Sequence, residues 1–169
     1  MFVLGIDPGL SRCGYGFIGS DLHRVHAITA GVITTDRALA LPLRLAALRA
    51  ELASLVAEHS PDVVVVERVL FQTNARTAMS VGQASGVALL TAAESGARVV
   101  EYSANEVKLA VTGDGGASKD QVQRMMMALL RLGQVPKPPD VADALALAYC
   151  HVASSRFREA ARSAGLVAW

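Results

Sequence analysis

Hydrophobic positions along this chain change their period several times, and the changes divide it into elements. "FVLGID", residues 2–7, is a short apolar run stopped by an acid and Pro8-Gly9, the pattern of a buried strand that ends in a turn. "RCGYGFIGS" and "RVHAITAGVITT" read as two more strands, with "SDLH" as the turn between them. Leucines at 41, 45, 48, 52 and 55 then mark one face of an amphipathic helix from Leu41 to His59. "PDVVVVE" carries four consecutive β-branched residues, which suits a strand covered on both faces.

A long helix follows from Asn74 to Ser95, with Gly82 and Gly86 on one face. Glycine weakens a helix, so that face is expected to pack closely against another backbone, either its own sheet or a second copy of the chain. "ARVVEYS" is a fifth strand, and "ANEVKLAVTG" a short helix ending at Gly113. "SKDQVQRMMMALLRLG" opens with Ser118 and Gln121 in capping-box spacing and is expected to end at Gly133. Three prolines precede the last helix, which Asp140 opens. A three-strand meander followed by alternating strands and helices predicts an α/β fold, a mixed five-stranded sheet flanked by helices. The expected organisation is one domain over residues 1–153 and a C-terminal tail over 154–169.

Composition changes this picture little. At 169 residues, 52% hydrophobic and 5% aromatic, the core is expected to be aliphatic. Cys13 and Cys150 have no metal-ligand spacing and form no disulfide framework. No basic leader precedes the first acid, and the longest weakly polar run contains Gln83 and is short for a bilayer span. These features point to a soluble, cytoplasmic protein of a reducing compartment.

The acids carry the candidate chemistry. Asp7 and Glu67 each end a buried strand, and open α/β sheets bind ligands at the carboxyl ends of their strands. Each has a plain alternative: an Asx-turn at the Pro8-Gly9 bend for Asp7, and a solvated strand end for Glu67. Asp140 and Asp143, taken alone, are better read as helix capping and dipole compensation than as chemistry. Two strand-end acids together with an acidic pair on a helix are harder to dismiss.

"GIDPGLSRCGYG", "VVERVLFQTNARTAMSVGQASGVA", "YSANEVKLAVTG", "SKDQVQ" and "DVADALALAYCH" resemble the successive motifs of the RuvC family of Holliday junction resolvases, in that family's order and spacing, from about residue 2 to 152. The resemblance implies an RNase H-like fold, a homodimer, a four-way DNA junction as substrate, and two Mg²⁺ (or Mn²⁺) ions. It also implies a junction-bound helicase complex of RuvA and RuvB as partner. Carried over by position, the family's catalytic, metal-binding acids fall on Asp7, Glu67, Asp140 and Asp143.

That assignment gives the spacing a physical meaning. Residues three apart on a helix share a side, so Asp140 and Asp143 can both face the strand ends. Four carboxylates in one small volume raise each other's pKa, and divalent cations relieve the repulsion. Two metals about 4 Å apart can activate a water and stabilise the leaving 3′ oxygen. Net charge is +1, but with four of the fifteen acids neutralised by metal, eleven remain against sixteen Lys and Arg. Such a surface favours a phosphate-bearing partner.

Lys119 would occupy the first helical position after the Ser118 cap, where a cation opposes the helix dipole, and a residue placed against local preference suggests a role. By resemblance Lys108 and Lys119 contact DNA, and Arg76 is a weaker phosphate candidate beside a plain surface reading. An aromatic wedge is expected at Phe71, or one position earlier, where this chain has Leu70. Stacking on an opened base is worth about 1–3 kcal/mol. His151 lies three turns beyond Asp140, about 16 Å by helical rise, and reads as a helix C-terminal residue favoured by the dipole. Three rival functions are weaker. A sugar-kinase or actin-like phosphotransferase needs two such domains, a nuclease of structured RNA does not fit the last motif, and a pure junction binder gains nothing from four acids.

Overall fold

The computed structural model describes residues 1–21, 24–69 and 75–164, with the side chains of residues 75–77 outside that description. The elements run β1 (Phe2–Asp7), β2 (Arg12–Ser20), β3 (Val25–Thr34), α1 (Leu41–His59), β4 (Val63–Glu67), α2 (Ala75–Glu94), β5 (Arg98–Tyr102), α3 (Ala104–Thr112), α4 (Lys119–Leu129) and α5 (Pro139–Ser163). Five strands form one sheet in the order β3-β2-β1-β4-β5. β1, β2 and β3 are the antiparallel meander; β4 and β5 add to β1 in parallel. The sheet is therefore mixed, as the element order predicts.

Strand alternation sends successive side chains to opposite faces. Leu4, Ile6, Cys13, Phe17, Val64 and Val66 face the layer made by α1 and α2. Val3, Ile18, Val63, Val65 and Tyr102 face the layer of α3, α4 and α5. All four valines of β4 are buried, which is why that strand has no polar alternation. Leu145 and Leu147 of α5 are each 2% exposed, and burial of such a side chain stabilises by about 1.5–3 kcal/mol.

Close seating of α5 on the sheet comes from glycines that the hydrophobic pattern does not single out. A Cβ at Gly5 would lie 2.0 Å from the Ala144 carbonyl oxygen, and one at Gly14 would lie 2.2 Å from that of Asp140. Only hydrogen fits there, so the helix backbone rests directly on β1 and β2. Of the two partners expected for Gly82 and Gly86, the structure excludes the sheet. A Cβ at either would meet nothing within 4 Å, so neither packs against its own sheet. Their face of α2 points outward beside Met79, 66% exposed, and Leu90, 53% exposed.

Three helix ends also differ. α4 stops at Leu129 rather than Gly133, because Arg131 takes a left-handed φ of 53°. α5 begins at Pro139 with Pro138 as its N-cap and no side-chain cap bond, so Asp140 does not cap it. α5 also continues to Ser163, which places His151 inside a helix rather than at its end. Among the described residues, no helix is long and apolar enough to cross a membrane.

Candidate active site

β1 and β4 run side by side in register, Val3 with Val63 through Ile6 with Val66, and each ends one residue later in an acid. Asp7 continues the parity of Val3 and Gly5, and Glu67 that of Val63 and Val65. Both acids therefore project toward α5. Their carboxyl groups lie close enough for each to bear on the other's ionisation. Burial, then the charges of Glu67 and Asp143, push Asp7 up to about 7. Burial likewise raises Glu67. Two buried carboxyl groups side by side disfavour their joint ionisation, so the pair takes up a proton more readily than separate acids would.

Asp143 faces this pair from α5. Together with Asp7, Glu67, Lys108 of α3 and Lys119 of α4, it lines a cleft of about 350 Å³ whose apolar wall includes Val107, Val122 and Leu147. Lys119 is the first residue of α4, directly after Ser118, which forms a complete capping box with Gln121. Its Nζ donates to Asp143 Oδ2 at 3.0 Å, and this bond holds the ammonium pKa above its ordinary value. Thus Lys119 sits against the helix dipole because carboxylates face it.

Asp140, one turn earlier on α5, is placed otherwise. Its Oδ2 accepts a bond from Arg12 Nη2 at 2.6 Å, at the rim rather than in the cleft lining. Among the described residues, no three His, Cys, Asp or Glu side chains already form a metal-ligand shell. Asp143 is paired with Lys119 and Asp140 with Arg12, while Asp7 and Glu67 lie beside each other. The donor set nevertheless suits a hard divalent cation, being carboxylate oxygens that are crowded and partly buried.

Leu70 and Phe71 lie outside the described residues, as does the side chain of Arg76. His151 takes no part in the cleft. It is 1% exposed, with Nε2 2.8 Å from Arg98 Nη2 and Nδ1 3.0 Å from the Tyr102 hydroxyl. A guanidinium can only donate, so Nε2 accepts and Nδ1–H donates to Tyr102. Burial, then Arg98, lowers the ring to about 4. The ring is a neutral strut between α5 and β5. Sequence reasoning missed Arg12 and this strut; only the shared parity of Arg12 and Gly14 on one strand could have hinted that Arg12 faces α5.

Burial also pushes the Cys13 thiol beneath the site to about 12, leaving it protonated and unreactive.

A family profile described as "Crossover junction endodeoxyribonuclease RuvC" matches residues 3–151. The crossover junction endodeoxyribonuclease RuvC of Syntrophomonas wolfei is 49% identical over 156 residues, covering 92% of this chain and 91% of that one. The Thermus thermophilus RuvC structure superposes with a TM-score of 0.84 at 32% identity, covering 94% of this chain and 97% of that one. T. thermophilus RuvC in complex with a Holliday junction substrate gives 0.84 at 29% identity, covering 93% and 96%. With strand order, paired acids and matched length in agreement, this chain belongs to the RuvC family of crossover junction endodeoxyribonucleases, with the RNase H-like nuclease fold.

Proposed function

We propose that this protein resolves four-way DNA junctions by phosphodiester hydrolysis, with Asp7, Glu67, Asp140 and Asp143 as its catalytic acids. The observation that carries the assignment is the cleft where two strands and α5 deliver Asp7, Glu67 and Asp143 beside two lysines. Asp140 joins them if its carboxylate leaves Arg12, a contact at the protein surface. Members of this family are metal-dependent nucleases. The four carboxylates would hold Mg²⁺, or Mn²⁺, and two ions are expected per subunit. Bound there, such ions supply an activated water and stabilise the leaving oxygen.

This chain's own residues do the rest. Lys108 and Lys119 attract the scissile strand, and Leu70 or Phe71, with Arg76, is proposed to engage the opened junction. The apolar wall narrows solvent access. Residues 1–153 form the proposed nuclease domain and 154–169 the proposed C-terminal tail, of which the part up to Ser163 is the last turns of α5. Two matched cuts require two sites, which a two-fold homodimer supplies. The outward face of α2 with Met79, Gly82, Gly86 and Leu90 is the proposed contact, since its glycines admit close approach and meet nothing among the described residues. A branch-migration complex of RuvA and RuvB on the junction and a cytoplasmic site of action complete the proposal.

A cleavage assay tests it, comparing a four-way junction, a linear duplex and an RNA–DNA hybrid in Mg²⁺ or Mn²⁺. Symmetric nicks in the junction alone are expected. Preferential cutting of the hybrid would instead favour a nuclease acting on RNA.

A further inference from the structure

Arg12 opens β2 directly after the turn that follows Asp7, and the turn is held from two sides. A Cβ at Gly9 would lie 2.2 Å from the Arg12 carbonyl oxygen, so the chain folds back tightly onto Arg12. From α1, Arg44 donates to Ser11 Oγ at 2.7 Å and to Thr35 Oγ1 at 3.0 Å. The base of the Arg12 side chain is therefore fixed, while its guanidinium reaches across to Asp140 at 2.6 Å. Two residues on, Gly14 admits the Asp140 backbone against the same strand.

The pair is close but accessible, with side chains 46% and 24% exposed. Exposed ion pairs contribute only about 0.2–1 kcal/mol, so this one yields readily to a stronger partner. A guanidinium matches phosphate oxygens in a two-pronged geometry as well as it matches a carboxylate. On the far side of the site Lys119 holds Asp143 in the same way. Each of the two aspartates of α5 thus has a cation of this chain in contact with it.

We propose that Arg12 is a placeholder cation: it neutralises Asp140 until a divalent ion takes that carboxylate, and its released guanidinium then binds the phosphate backbone of the DNA. Metal and DNA thereby favour one another's binding, and linkage requires the effect to be mutual. This rests on the reading of the four acids as a metal site. It differs from a purely structural ion pair, in which Arg12 would keep Asp140 in position and its loss would weaken metal uptake.

The test uses the full-length protein and its Arg12→Gln variant. Mn²⁺ uptake without DNA is followed by electron paramagnetic resonance. Four-way junction binding is titrated against salt with Ca²⁺ in place of Mg²⁺. Arg12→Gln is expected to bind Mn²⁺ up to about fivefold more tightly, because a competitor for Asp140 is gone. It is also expected to bind the junction more weakly, with a salt slope smaller by about one. Unchanged or weaker Mn²⁺ uptake, or an unchanged salt slope, would overturn the placeholder role while leaving the metal site standing. Wild-type protein that takes up no Mn²⁺ would overturn both.

Discussion

Lys119 Nζ lies 3.0 Å from Asp143 Oδ2, joining the first residue of α4 to the cleft-facing side of α5. The lysine side chain is 72% exposed, so it can touch the acid and remain open to an incoming phosphate. Lys119→Ala is expected to weaken junction binding several-fold and to reduce its salt slope by about one. The measurement is fluorescence anisotropy across a salt series. A slope equal to wild type would remove Lys119 from the phosphate contacts.

Asp7 gives a pH dependence with a definite sign. Its folded pKa, about 7, lies above the ordinary 3.8, so the folded protein binds more protons than the unfolded chain between those values. Its contribution to stability is complete below about 4 and is lost as pH rises through about 7. His151 acts oppositely: lowered to about 4 from 6.5, it supports the fold above about 6.5 and ceases to as pH falls toward 4. Asp7→Asn is expected to stabilise the metal-free protein at pH 8 by on the order of 2 kcal/mol and to remove the loss between pH 4 and 7. Urea denaturation over that range checks this. Added Mg²⁺ should narrow the difference by stabilising only the wild type.

The glycines separate two kinds of contact. Gly5→Ala forces a methyl group into the Ala144 carbonyl and should destabilise by more than about 2 kcal/mol, lifting α5 and its aspartates off the sheet. Gly82→Ala and Gly86→Ala meet open space and should each stabilise the isolated protomer by about 0.5–1 kcal/mol. In the proposed dimer the added methyl groups should instead weaken association. Thermal unfolding and sedimentation velocity, run on the same variants, distinguish these outcomes.

Most of the fold was legible because its signals are local. Four apolar valines, a capping box at Ser118 and a leucine stripe each identify an element within a few residues. The convergence of Asp7 and Glu67 was legible too, since strand-end position and side-chain parity both follow from sequence. Asp140 was harder. Residues 136–150 alone suggested a cap, yet Pro138 takes that place and the acid turns to a residue 128 positions away. Gly5, Gly14 and Gly16 in strands look like weak strand formers until the helix backbone lies upon them. The outward glycines of α2 left two partners open, because a missing side chain does not say which neighbour fills the space.

Cleavage of a four-way junction by Asp7→Asn and Asp143→Asn, with binding measured on the same samples, addresses the acids most directly. Each substitution removes one carboxylate from the cleft and leaves Lys108 and Lys119 in place. The expected result is junction binding within a few-fold of wild type and a loss of cutting of at least about 10²-fold in saturating Mg²⁺, as for removal of an essential catalytic group. Cutting by either variant at the wild-type rate would contradict the assignment of the site.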